Sequence, residues 1–307
     1  MKLPVIDFSG FVLDEPESLA RIGREIDLAL STIGFMAVEN LDITPGKLAE
    51  IFKLSRAFFS QSAQLKQRSA YRSATENFGY QGLAVEHLDP RQAADLKETF
   101  TMRNVPQHDP NDDRWPDRYF RDQMNQFYLD CMASACKIQQ VFAAIFDLPV
   151  NHFVDYHSGE NVSVRLLHYP PVTPSRVKEG QLGAGAHTDY GMLTLLFQDR
   201  IGGLQVFDQG VWVDVDPIEN AIVVNTGDLM ERWTNGRFKS TLHRVQPRLG
   251  DEARSSIAVF IDPDSNTPVN VLASCMDEDH PARFEPITAG EHIQAKILAS
   301  HVGDSAG

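Results

Sequence analysis

The spacing of apolar residues divides the chain near residue 160. Before that point helical periodicity dominates. Leu19, Ile22, Ile26, Ala29, Leu30 and Ile33 recur every three or four positions, which predicts an amphipathic helix stopped by Gly34. Leu48, Ile51, Phe52, Ser55 and Phe59 form a second stripe, opened by Thr44 as N-cap and Pro45 in the first turn. Tyr128, Met132, Ala135, Ile138, Phe142 and Ile145 mark a third, in a helix opening at Trp115-Pro116 and ending near Phe146. Short strands are predicted at Pro4 to Phe8 and at Phe35-Met36-Ala37-Val38, and Gln61 to Gly82 reads as a polar surface segment. From Val162 to about Val271 the pattern becomes short strands separated by Gly, Pro, Asn and Asp turns. Ile287 to Leu298 reads as a closing helix. Strands punctuated at this spacing fit a double-stranded β-helix, or jelly roll. The predicted class is α+β, with a helical N-terminal region packed on the outside of that core.

Composition narrows the partners. At 307 residues and 42% apolar, the chain is long enough for a substantial core. Its 28 basic against 42 acidic residues give a net charge of −14. That balance speaks against nucleic acid and anionic membranes, which call for Lys/Arg patches. No apolar run approaches membrane-spanning length, and Pro4 and Asp7 interrupt any signal-peptide core. Cys131, Cys136 and Cys275 are odd in number and lack zinc or redox spacing, so they are expected to be reduced and unligated. A cytoplasmic protein is expected.

The chemistry concentrates in Gly185-Ala186-His187-Thr188-Asp189-Tyr190-Gly191. Side chains at i and i+2 of a strand share a face, so His187 and Asp189 look into one cavity. Two histidines and a carboxylate make the facial triad that holds iron(II) and leaves positions open for substrates and oxygen. His243, 54 positions after Asp189, is the candidate for the second histidine, since antiparallel strands can go out and return over that length. Arg254 and Ser256 share one face of the next apolar strand. A buried guanidinium beside a hydroxyl is a fork for a carboxylate, and an unpaired buried guanidinium is costly without an anion. His168 alternates with Tyr169 and faces away from the cavity, Asp228 reads as a turn residue, and the other histidines read as surface or capping residues.

His187-Thr188-Asp189, then His243-Arg244-Val245, then Arg254-Ser255-Ser256, in this order, resemble the iron(II)- and 2-oxoglutarate-dependent oxygenases of the isopenicillin N synthase-like family. Leu166-Leu167-His168-Tyr169-Pro170-Pro171, Gly202-Gly203-Leu204-Gln205 and Val224-Asn225-Thr226-Gly227-Asp228 are similar to further family segments, so the likeness covers almost the whole chain. It implies a non-haem dioxygenase N-terminal region over 1–110, a long helix and connection over 111–160, a jelly-roll core over 161–280, and a C-terminal helix and tail over 281–307, in one compact unit.

The resemblance implies His187, Asp189 and His243 as ligands of Fe(2+). Arg254 and Ser256, with Tyr169, would bind the distal carboxylate of 2-oxoglutarate. Many members carry Asn two residues before that tyrosine; this chain has Leu167, so another group must hold the near carboxylate. Phe78, Tyr80, Phe100, Met102, Met192 and Phe260 are the implied substrate-lining residues. The expected reaction uses O2 and 2-oxoglutarate to oxidise a C–H bond of a small molecule, most commonly by hydroxylation, releasing succinate and CO2. Two alternatives stay open at the level of sequence. One is an iron-dependent oxidase on the same scaffold that does not use 2-oxoglutarate. The other is a non-catalytic metal-holding jelly roll serving as a sensor.

Overall fold

The computed structural model describes residues 1–89 and 92–301; positions 302–307 of the expected tail lie outside the described residues. Along the chain run β1 (Val5–Asp7), α1 (Pro16–Thr32), β2 (Phe35–Glu39), α2 (Pro45–Phe59), α3 (Ala63–Lys66), β3 (Phe78–Gln81), β4 (Glu98–Arg103) and α4 (Arg118–Ile145). The second half contains β5 (Ser163–Tyr169), β6 (Ala184–His187), β7 (Leu193–Gln198), β8 (Leu204–Asp208), β9 (Val211–Asp214) and β10 (Ile222–Thr226). It closes with α5 (Asp228–Trp233), β11 (His243–Val245), β12 (Arg254–Ile261), β13 (Pro268–Val269), β14 (Ile287–Thr288) and α6 (Ala289–His301).

Two sheets face each other. The larger has the order β1-β2-β10-β7-β12-β5-β4-β3, and the smaller β6-β11-β8-β9. Alternation along β12 shows how the layers form. Ile257, Val259 and Ile261 point to one side and join α1, α2 and α4 in the main apolar core. Each such buried aliphatic side chain contributes about 1.5–3 kcal/mol. Arg254, Ser256, Ala258 and Phe260 occupy the other side, which faces the smaller sheet.

The helices begin where their caps allow. Thr44 accepts a hydrogen bond from the Lys47 amide, as its N-cap position predicts. The long helix α4 starts at Arg118, after Trp115-Pro116, because Asp117 Oδ1 accepts from the Phe120 amide at 2.7 Å. Gly34 ends α1 with φ +74°, and a Cβ there would lie 2.4 Å from the Lys239 carbonyl oxygen, so only glycine fits.

The N-terminal strands join the core: β1 and β2, at the two expected positions, extend one edge of the large sheet, and β4 and β3 extend the other. One expectation needs correction. The supposed surface segment Gln61 to Gly82 contains α3 and β3, with Phe78 and Tyr80 fully or nearly buried. Its polar composition hides a two-residue apolar alternation around Gly79, too short to stand out in sequence.

Candidate metal and co-substrate site

His187 closes β6 and His243 opens β11, and these two strands pair antiparallel with the two histidines as direct partners. Their ring centroids are 4.3 Å apart. Asp189 lies two residues beyond His187, with its Oδ1 3.9 Å from His187 Nε2 and 3.7 Å from His243 Nε2. One ligand atom from each of the three lies within 4.8 Å of the others. The spread suits a single cation between them.

The surrounding hydrogen bonds orient each donor atom. His187 Nδ1–H donates to the Gly185 carbonyl at 2.8 Å and His243 Nδ1–H donates to the Thr241 carbonyl at 3.0 Å. Both Nε2 lone pairs are thereby turned inward. Asp189 Oδ2 accepts from Thr194 Oγ1 and from Asn225 Nδ2, each at 2.6 Å, leaving Oδ1 for the cavity. Burial, and then the facing His243, push the His187 pKa down, so its imidazole is neutral, the form a metal requires. Burial would raise the Asp189 carboxyl, but His243, His187 and its two hydrogen bonds outweigh that and hold it below its ordinary value. The donor set is two imidazole nitrogens and one carboxylate oxygen, which fits a divalent transition metal.

Arg254 is 2% exposed. Its Nε donates to the Gly202 carbonyl at 2.7 Å, Nη1 to Ser256 Oγ at 3.1 Å, and Nη2 reaches Gln198 Oε1 only at 3.5 Å. Its guanidinium carbon lies 4.6 Å from the centre of the Tyr169 ring, and the two residues are direct partners across β12 and β5. Among the described residues Arg254 makes no ion pair, so a buried cation awaits an anion, as a dicarboxylate co-substrate would supply. Leu167 stands in a transverse row, Thr99–Leu167–Ser256–Gln198, set by the pairing of β4, β5, β12 and β7. Thr99 Oγ1 and Gln198 Nε2 are buried in that row without hydrogen-bond partners. Two donors are thus available beside the position where Leu167 offers none.

The expected substrate-lining set divides. Phe260 shares the face of Arg254 and Ser256 and packs with Leu88, Leu167, Leu196 and Ala258. Phe78, Tyr80, Phe100 and Met102 do not join it. Phe100 and Met102 alternate with Thr99 and Thr101 on β4 and point into the helix-side core, where Phe100 meets Phe58 and Phe120. Phe78 packs on Trp115, and Tyr80 donates its hydroxyl proton to Glu98 on that same side. Met192 is fully buried in the same core beside the Gln139 amide of α4. Strand parity, unknown until β4 is registered on β5, turns the four residues of β3 and β4 away from the cavity, and Met192, just before β7, lies in the core on the helix side.

Residues without a strong sequence signal complete the surroundings. Thr194 and Asn225 hold Asp189; the sequence marks the turn at Asn225 but not its bond. His157 and His292 are buried rather than superficial, and His292 Nε2 lies 3.6 Å from Asp228 Oδ2. Lys296 of α6 joins the same carboxylate at 2.6 Å, so Asp228 ties the C-terminal helix to the turn that backs the metal strand. Burial would raise the Asp228 carboxyl, but His292, Lys296 and Ser240 together outweigh it and hold the group down at about 2.

Comparison with known proteins agrees with this geometry. Residues 160–263 match the 2OG-Fe(II) oxygenase superfamily, and residues 3–124 match the non-haem dioxygenase in morphine synthesis N-terminal family. A 2-oxoglutarate-Fe(II) type oxidoreductase, ppzD, from Metarhizium rileyi is 30% identical, covering 99% of this chain and 92% of its own. The chain belongs to the 2OG-Fe(II) oxygenase superfamily. It is a 2-oxoglutarate-dependent dioxygenase that uses Fe(2+), 2-oxoglutarate and O2. A proline hydroxylase, buaE, from Petromyces alliaceus is 29% identical over 98% of this chain and 100% of its own length. Among solved structures, a full-length Neurospora crassa protein in complex with alpha-KG and thymine superposes with a TM-score of 0.86 at 30% identity, covering 97% of each chain. Among the described residues, no helix is long and apolar enough to cross a membrane.

Proposed function

We propose that His187, Asp189 and His243 hold the iron, that Arg254, Ser256 and Tyr169 seat the distal carboxylate of 2-oxoglutarate, and that the enzyme hydroxylates a C–H bond of a small molecule in the cytoplasm. The observation carrying this reading is the convergence of three oriented donor atoms within 4.8 Å, two on paired strands of the smaller sheet and the third just past β6, opposite the face that bears a buried arginine without an ion pair among the described residues. When bound, iron and 2-oxoglutarate supply the oxidising chemistry: R–H, O2 and 2-oxoglutarate become R–OH, succinate and CO2.

The chain's own residues would do the rest. The Gly185 and Thr241 carbonyls keep both imidazoles in the ligating tautomer, and Thr194 and Asn225 leave Asp189 one free oxygen. Arg254 would neutralise the co-substrate's far end in a buried place, and Thr99 and Gln198 are the donors available for groups nearer the metal. The apolar surface of Leu88, Leu196 and Phe260 would keep water from the reacting centre. The relatives named with proline hydroxylase activity and with bound thymine support a small organic substrate.

The test is succinate release dependent on both O2 and Fe(II), measured for the wild type and for His243→Ala. The variant should retain no stoichiometric iron and release no succinate. Full iron occupancy in it would overturn the ligand assignment, and oxygen uptake without succinate would favour an oxidase that does not use 2-oxoglutarate.

A further inference from the structure

Beside the metal strand lies a largely buried group of four charges with no part in the chemistry above. Arg165, on the cavity face of β5, is the direct partner of Thr101 and Ala258 on the flanking strands. Its Nη2 pairs with Glu86 Oε1. Glu86 Oε2 lies 3.4 Å from Lys97 Nζ, which in turn lies 2.5 Å from Asp95 Oδ2. Asp95 Oδ1 accepts from the Gly185 amide at 2.9 Å, so the group reaches the strand that carries His187. The two cations and two anions cancel. Two buried atoms nevertheless have hydrogen-bonding capacity to spare: Arg165 Nε, a donor with no partner, and Glu86 Oε2, an acceptor held only by the long 3.4 Å ion pair with Lys97. On the same face Arg165 is flanked by Thr101 and Ala258, with the apolar Leu167, Leu196 and Phe260 close by along the strands. Glu86 itself lies in a stretch outside helix and strand.

We infer that Arg165 and Glu86 together read the substrate, and that they select a neutral amide, lactam or imide set in an apolar body. This deepens the proposed function and rests on it. A donor and an acceptor side by side match a carbonyl next to an N–H. Insertion of such a group gives Arg165 Nε an acceptor and gives Glu86 Oε2 a donor beside its ion pair with Lys97. A carboxylate does not match, because Glu86 already compensates Arg165 and a second anion meets Glu86 at close range. Placement on the row of Ala258, two positions from Leu167 toward the metal side, sets the amide beside the reacting carbon rather than at the Arg254 end.

The experiment is calorimetric titration of the anaerobic protein loaded with Fe(II) and 2-oxoglutarate. The probes are neutral cyclic amides from 2-pyrrolidinone to oxindole, with the size-matched carboxylates cyclopentanecarboxylate and phenylacetate. At least one amide should bind about tenfold more tightly than its matched carboxylate. Arg165→Met should remove that advantage. Glu86→Gln leaves Arg165 uncompensated and should turn the preference toward the carboxylate, which guards against a variant that merely misfolds. A wild-type preference for the carboxylates, no binding anywhere in the panel, or a ratio unchanged in both variants would overturn the inference. Titration of 2-oxoglutarate into the same iron-loaded protein separates the two readings. If it fails to bind, the proposed function falls; if it binds without an amide preference, only this inference does.

Discussion

Arg254 and Tyr169 stand opposite each other on neighbouring antiparallel strands, with the guanidinium 4.6 Å above the phenol ring. The ring fixes the plane of the fork, and the Gly202 carbonyl and Ser256 hydroxyl take two of its edges. Nη2 keeps only a 3.5 Å contact with Gln198 Oε1. Arg254→Lys keeps the charge but loses the stacked plane and the bidentate geometry. The loss of a charge-assisted bond, roughly 1.5–3 kcal/mol, corresponds to an increase of about tenfold to a hundredfold in KM for 2-oxoglutarate. Iron affinity should stay near the wild-type value. A KM for 2-oxoglutarate equal to wild type would make Arg254 structural.

Asn225 would act on the metal through Asp189. Its Nδ2 and Thr194 Oγ1 share the same carboxylate oxygen, each at 2.6 Å. Asn225→Ala should weaken iron binding about tenfold to a hundredfold, the usual effect of losing an outer partner of a ligand. Thr194→Val should do the same, and the double variant should lose less than the sum because one oxygen is served by both. Competition with a chelator of known affinity measures this. An unchanged iron affinity in both single variants would show that Asp189 is oriented without them.

The proposed metal ligands are legible in sequence because their two-residue spacing is local, but strand parity is not what places Asp189: β6 ends at His187, and Asp189 lies just past it, turned to the cavity by Thr194 and Asn225. The partner strand is legible through the order of motifs, each a short apolar run ending in a polar pair. The outer partners are not. Asn225 reaches Asp189 across 36 positions, and nothing in Val224-Asn225-Thr226 says which side of β10 meets β7. The aromatic residues Phe78 and Phe100 mislead for a related reason. Either face of β3 and β4 accepts them by composition, and only the pairing of Thr99 with Leu167 turns them toward the helices. The clustered charges Arg165, Glu86, Lys97 and Asp95 come from three separate stretches of chain, and nothing within one stretch points to the others.

Gly227 matters for space rather than for its backbone angles. A Cβ there would lie 2.5 Å from the Gly191 carbonyl oxygen and 2.7 Å from that of Asp189. Both obstacles are backbone, so neither can rotate away. Gly227→Ala should destabilise the fold by about 1–3 kcal/mol, the usual cost of overpacking, and should displace the segment that bears Asp189. Thermal denaturation together with iron content checks it. A variant with wild-type melting temperature and full iron would show that the turn after β10 can retreat without moving the metal strand.

Acid sensitivity should arise partly from a residue remote from the metal. His157 is buried behind the long helix, and its Nδ1–H donates to the Phe153 carbonyl at 2.7 Å. Burial pushes its pKa down from 6.5 to about 4. The unfolded chain therefore takes up this proton near pH 6.5, and the folded chain only near pH 4. Between those values the unfolded state holds more protons, so acidification favours unfolding; below about pH 4 both states are protonated and this contribution is flat. A shift of that size is worth about 3 kcal/mol over the window. The midpoint of urea unfolding should fall steadily from about pH 6.5 to pH 4 in the wild type. His157→Phe cannot take up the proton, so it should lose the share of the slope that His157 contributes while carboxylates such as Asp228 keep theirs at lower pH. If the wild type and His157→Phe show the same slope between pH 6.5 and 4, the buried imidazole is not a source of acid sensitivity.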